Sequence, residues 1–139
     1  MQVIEDTPLI LGSYENISKI QYFNPYFINC SRDIKNYDNY RVSVDDNGED
    51  EIYDYLDNVC KIIDQQLDNT KTVIIFCKFG QQRSPSIVAA YLMYKYSLSL
   101  EECVQQIKYY KKDIFPWTIH FEKCLLKWEE KLKKTDYLF

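Results

Sequence analysis

The sequence predicts an α/β fold, with a central, mostly parallel sheet of about four to five short strands flanked by helices, in one domain spanning residues 1–139. Three observations predict it. Strand-like runs in the first half alternate with irregular segments and then give way to helical patterns. The run Thr72-Val-Ile-Ile-Phe76 is apolar or β-branched throughout, as a buried strand is, and from Ile87 onward the chain is apolar around most of a helix's circumference. A chain of 139 residues can bury about two-thirds of its unfolded surface, enough for a core that needs no staple.

Taken in order, Leu9-Ile-Leu-Gly12 reads as a short strand closed by a turn, Ile17 to Ile20 as one helical turn, and Tyr26-Phe-Ile-Asn29-Cys30 as a second strand. Tyr40-Arg-Val-Ser-Val44 alternates, which puts Val42 and Val44 on one side, and it runs into Asp45-Asp46-Asn47-Gly48, ordinary turn chemistry. Ile52, Leu56, Val59, Ile63 and Leu67 fall at helical spacing behind an acidic first turn, so a helix feeds the Thr72 strand. Ser99-Leu-Glu-Glu102 is a capping box, with Leu98 and Cys103 placed as a hydrophobic staple, so a helix starts at Leu100 and shows Leu100, Cys103, Val104 and Ile107 on its apolar face. Phe115-Pro116-Trp117 breaks the pattern, and Phe121, Cys124, Leu125, Trp128 and Leu132 mark a final amphipathic helix whose aromatic residues read as core.

Chemistry concentrates between the Thr72 strand and the helix after it. Cys77 ends the strand, and Lys78 to Arg83 contain one glycine, Gly80, which permits a tight path that turns several N–H groups inward as a cradle for an anion. Ser84 suits an N-cap and Pro85 the first helical position, so the helix is expected to start there with its free N–H groups and positive dipole end facing Cys77. A cysteine so placed is expected to be a thiolate, and Arg83 can add a planar, bidentate grip on a phosphate or sulfate. The ordinary alternative is a buried cysteine at a strand end.

Cys77-x5-Arg83 between a strand and a helix is the signature of the protein tyrosine phosphatase superfamily, and this copy resembles the dual-specificity branch. The resemblance is carried by Ser84 after the arginine, by Ile87-Val-Ala-Ala-Tyr-Leu-Met93, and by Ser97-Leu-Ser-Leu-Glu-Glu102, and it extends roughly from Ile4 to Leu132. It implies a protein tyrosine phosphatase-like fold with the site outside the carboxyl end of the Thr72 strand, where open α/β sheets place theirs. It implies a phosphorylated protein as partner and a phosphatase acting on phosphotyrosine and on phosphoserine or phosphothreonine, without metal or cofactor. Cys77 is then the nucleophile that forms a phosphocysteine. Arg83 and the N–H groups of Lys78, Phe79, Gly80, Gln81 and Gln82 hold the phosphate, and Ser84 hydrogen-bonds the sulfur. Asp45 is the general acid, with Asp46 the runner-up, and Asn29 supports the phosphate loop. Lys78, at the loop edge, would favour an acidic or multiply phosphorylated neighbour of the target residue.

Two positions depart from the family pattern. Phe76 stands where a histidine usually precedes the cysteine, which implies a thiol that ionises less readily and slower turnover. Trp117 stands where asparagine is common, and would reshape the rim. Phe76 leaves room for an alternative, a pseudophosphatase that binds phosphoproteins without turnover. An RNA 5′-triphosphatase is a further alternative, against which the net charge of −4 and only three arginines speak.

The totals narrow the setting. The acidic chain is expected to bind neither nucleic acid nor anionic membrane, and its lysines, among them Lys108, Lys111 and Lys112, read as solvated helix faces. No signal-peptide pattern and no apolar run near transmembrane length occur, and the five cysteines lack paired or metal-ligand spacing, so a soluble, cytoplasmic protein with reduced thiols is expected. Oligomeric state is left open. The single histidine, His120, reads as a surface or half-buried side chain, so a histidine base for Cys77 is not expected.

Overall fold

The computed structural model of the protein describes residues 1–137. Strands β1 (Leu9–Ser13), β2 (Pro25–Asn29), β3 (Tyr40–Arg41) and β4 (Thr72–Cys77) form an all-parallel sheet in the order β1-β4-β2-β3. The helices are α1 (Tyr14–Ile17), α2 (Glu49–Asp68), α3 (Arg83–Tyr96), α4 (Leu100–Tyr110) and α5 (Glu122–Tyr137). Among the described residues no helix is long and apolar enough to cross a membrane.

The uniform apolar character of β4 follows from its central place. Leu9 to Ser13 pair with Val73 to Cys77 on one side, and Pro25 to Asn29 with Thr72 to Phe76 on the other. Its side chains are also divided between two cores. Val73, Ile75 and Cys77 join the large cluster built with helices α2 to α5, whereas Ile74 and Phe76 join a smaller one with Ile17 on the opposite face. A strand covered on both faces has no solvent side on which a polar residue would be stable. In the large cluster Trp128 of α5 is buried and donates its indole N–H to the Ala90 carbonyl of α3 at 3.1 Å.

Most expected elements are present, and two are shifted. The strand expected over Tyr40–Val44 stops at Arg41. Its partner β2 ends at Asn29, and the Val42 and Val44 amides turn to the carbonyls of Asn29 and Val42, at 2.9 and 3.0 Å. Val42 and Val44 are nonetheless both buried, as their alternation implies. The helical turn expected at Ile17–Ile20 lies three residues earlier, because Ser13 caps it by accepting the Asn16 N–H on its hydroxyl at 3.3 Å.

The Ser99 capping box forms as expected. The Ser99 hydroxyl accepts from the Glu102 amide at 3.1 Å, and the Glu102 carboxylate accepts from the Ser99 amide at 2.9 Å. Glu129 of α5 takes the Leu100 amide at 2.6 Å, so the start of α4 is also held from outside. Ser99→Ala should therefore lower stability by about 1 kcal/mol, measured as a shift in the midpoint of urea unfolding with unchanged slope.

Candidate active site

β4 brings Cys77 to the carboxyl end of the sheet, where it is 2% exposed. The loop that follows curls round its sulfur. The Gly80 amide donates to Sγ at 3.2 Å and the Ser84 amide at 3.5 Å, and the Ser84 hydroxyl lies 3.1 Å away. Donors of this kind stabilise a thiolate, and Ser84 lies within the first turn of α3, whose dipole has the same sign of effect. Helix α3 thus begins at Arg83 with Gln82 at the N-cap, not at Ser84. The Ser84 hydroxyl faces the sulfur instead of a backbone amide one turn on.

Gly80 makes the curl possible in two ways. Its φ is +69°, and a Cβ there would stand 2.8 Å from the Gly12 carbonyl carbon and 2.9 Å from the Ser13 nitrogen. The loop therefore rests directly on the end of β1, where the Tyr14 amide also donates to the Lys78 carbonyl at 3.3 Å.

The outer edge of the loop is fastened to residues 111–120. Lys111 is buried and donates to the Gly80 carbonyl at 2.9 Å and to Asp113 at 2.5 Å, so this lysine is a strut and not part of a solvated face. Phe115 donates its amide to the Gln81 carbonyl at 2.8 Å. The buried Gln82 side chain donates to the Thr118 carbonyl at 2.8 Å and accepts the His120 amide at 3.0 Å.

A cavity of about 230 Å³ opens above Cys77. Arg83, Gln81 and Gln82 of the loop line it together with Asp46, His120, Phe79, Pro116 and Trp117. Arg83 donates from Nη1 to the Val44 carbonyl at 3.3 Å, and its Nε lies 3.8 Å from Asp46 Oδ1, beyond hydrogen-bond reach. That Nε is buried and, among the described residues, without a hydrogen-bond partner. A buried guanidinium N–H left unused beside an anion-sized space is the donor an oxyanion would satisfy.

The two candidate acids separate. Asp45 points outward with its side chain 66% exposed and bonds Arg32 at 3.1 Å, in a surface network that includes Glu51. Asp46 reaches the cavity. His120 stands beside it, with Nδ1 3.2 Å from the Asp46 carbonyl oxygen and 3.8 Å from Oδ1.

Of the expected phosphate-holding residues, Phe79, Gln81, Gln82 and Arg83 border the cavity, Gly80 turns its amide to the sulfur, and the Lys78 ammonium lies over the Phe79 ring, 5.3 Å from its centroid. Among the described residues the Asn29 side chain makes no hydrogen bond to the 78–83 loop it was expected to support. Its amide donates to the Ile34 carbonyl at 2.8 Å and its carbonyl accepts from Ser31 at 2.7 Å, holding the 31–36 loop, where Arg41 also bonds the Ser31 and Ile34 carbonyls at 2.7 Å. Phe76 is buried under the site, stacked on Tyr14 with centroids 6.2 Å apart and edge-on to Phe27 at 6.5 Å.

Burial keeps other thiols out of this chemistry. It pushes Cys30 well above the ordinary thiol value, with the neighbouring Cys77 adding to the rise, raises Cys60 strongly, and pushes Cys103 up to about 12. These three stay protonated at neutral pH.

His120, Lys111 and the bridging by Gln82 were not identifiable as site features from sequence. Each depends on contacts 31 to 74 positions apart in the chain, which no local pattern encodes. Gln82→Ala removes both side-chain bridges to 118–120 and should lower stability by about 1–3 kcal/mol, together with kcat/KM for any phosphate ester the cavity accepts; unfolding and turnover of the same variant check this.

Comparison with known proteins identifies the family and the fold. The sequence profile of the dual specificity phosphatase catalytic domain matches residues 9–131. The chain is 30% identical over 98 residues to the putative tyrosine phosphatase 123R of Invertebrate iridescent virus 6, covering 70% of this chain and 68% of that one. It is 31% identical over 93 residues to human dual specificity protein phosphatase 16, covering 67% of this chain but only 14% of that protein. Among solved structures, a leucine rich repeat and phosphatase domain containing protein from Entamoeba histolytica superposes with a TM-score of 0.80 at 27% identity, covering 97% of this chain and 93% of that one.

Proposed function

Because the chain belongs to the dual specificity phosphatase catalytic-domain family and is thus a phosphatase of the protein tyrosine/dual-specificity type, we propose that it acts as a single catalytic domain hydrolysing phosphotyrosine and phosphoserine or phosphothreonine in proteins. One observation carries the reading. Cys77, with its hydrogen-bonded sulfur, Arg83, whose buried Nε lacks a hydrogen bond among the described residues, and Asp46 all line one cavity.

The reaction has two steps. The Cys77 thiolate attacks phosphorus in line, the phosphorus–oxygen bond to the leaving group breaks, and protonated Asp46 gives its proton to the departing oxygen. Arg83 and the loop amides hold the equatorial oxygens, where charge accumulates. Water then attacks the phosphocysteine, the Asp46 carboxylate takes its proton, and the sulfur leaves as thiolate. The Ser84 hydroxyl, 3.1 Å from that sulfur, stabilises the charge it regains. His120 stands where it can bond the Asp46 backbone and bias the carboxyl beside it. Asp46, the runner-up in the sequence, takes the acid's role because Asp45 is engaged with Arg32 outside the cavity.

A second reading, a phosphoprotein-binding module without turnover, is favoured by Phe76. Its ring packs among Tyr14, Phe27 and Tyr37 and offers no hydrogen bond to the loop above it. The Phe76→His variant distinguishes the two readings if it turns over where the parent does not.

Metal-free hydrolysis of a small aryl phosphate across about pH 5 to 8 tests the assignment. Cys77→Ser should abolish turnover, Asp46→Asn should cut it by about a hundredfold, and Asp45→Asn should cost less than about threefold. A large loss from Asp45→Asn with little from Asp46→Asn would return the acid's role to Asp45. Unimpaired binding of a phosphopeptide by a parent protein that releases no phosphate would favour the binding module.

A further inference from the structure

Two large aromatic side chains border the cavity while remaining in water. Trp117 is 100% exposed and Phe79 is 61% exposed, yet both line the space above Cys77. A lone exposed aromatic residue needs no explanation, but Trp117 is held in place at some cost. Its φ is +72°, a left-handed backbone that bulky L-residues avoid, and Phe115 two residues earlier has a φ of +48°. Such strain persists where the surroundings enforce it, and it concentrates at sites that bind or react.

The enforcing contacts are present. Phe115 is tied to the Gln81 carbonyl at 2.8 Å, the Thr118 carbonyl to the Gln82 side chain at 2.8 Å, and the Thr118 amide turns back to the Pro116 carbonyl at 2.9 Å. Trp117 thus sits between two attachments to the catalytic loop and is kept out of the core. Phe79 belongs to that loop itself, and the Lys78 ammonium over its ring helps hold it at the rim.

We propose that Phe79 and Trp117 form an aromatic clamp for the phenyl ring of a phosphotyrosine whose phosphate sits over Cys77, so that this enzyme favours aryl over alkyl phosphate esters. The inference rests on the phosphatase reading above. In a phosphotyrosine the ring lies directly outside the phosphate, at the level of the mouth, where two aromatic side chains can meet it in offset or edge-on contact. A phosphoserine or phosphothreonine presents no such face at that depth.

The chain has two tryptophans, and Trp128 is buried in the core. Emission of the Cys77→Ser protein is titrated with a phosphotyrosine peptide and with the same peptide carrying phosphothreonine. The expected result is a saturable change with the first only, lost when Trp117→Ala is added. In the active protein, Trp117→Ala and Phe79→Ala should each lower the ratio of kcat/KM for the phosphotyrosine peptide to that for the phosphothreonine peptide, by about threefold to tenfold. Equal emission changes with the two peptides, or ratios unchanged in both variants, would overturn the clamp. If the active protein released no phosphate from either peptide, the turnover reading would fail, and the emission titration would still decide the clamp.

Discussion

A sulfur at the end of a buried strand is ringed by hydrogen-bond donors, and the architecture around it serves to place them. β4 is covered on both faces, so the Cys77 side chain emerges from an apolar interior at 2% exposure. Burial keeps the thiols of Cys30, Cys60 and Cys103 neutral. What distinguishes Cys77 is the set of donors that the next seven residues fold back upon it, and that fold-back depends on Gly80 resting on Gly12. The sheet, the loop and the first turn of α3 are thus one electrostatic device.

The loop is rigid because it is fastened on several sides. β1 supports it from beneath, while Lys111, Phe115, Thr118 and His120 fasten its outer edge through three successive loop residues, Gly80, Gln81 and Gln82. Donors held in advance toward a charge need no reorganisation when that charge forms. The same fastenings position His120 beside Asp46 and place Trp117 at the mouth, so the segment between α4 and α5 organises both the surroundings of Asp46 and the entrance.

Where sequence and structure agree, the signal is local. The Ser99 box, the uniform apolarity of β4 and the need for glycine at 80 each arise within a few residues, and each is found as expected. Ser84 shows the limit of residue type. A serine before proline suits an N-cap, but the sulfur seven positions earlier claims its hydroxyl and the helix starts two residues sooner. The separation of Asp46, at the cavity, from Asp45, at the surface, has a signal in the sequence. Val42 and Val44 point inward, and the same period of two carried on places Asp46 with them and Asp45 with the outward Ser43 side, even though the strand's pairing ends at Arg41. His120 and Lys111 had no such signal, since their partners are brought near only by the folded chain.

The contact between Gly80 and Gly12 joins positions 68 residues apart into one steric unit. A side chain at 80 would strike the β1 backbone whatever residue stands at 12, whereas a side chain at 12 would strike the Ile17 side chain of α1. Position 12, on a strand that contributes no side chain to the cavity, is therefore constrained by Ile17, and position 80 by the backbone of β1 itself. Among relatives of this chain, bulk at 12 should appear only with a smaller side chain at 17, and a survey of inherited change that scored only the cavity's own walls would overlook that pair.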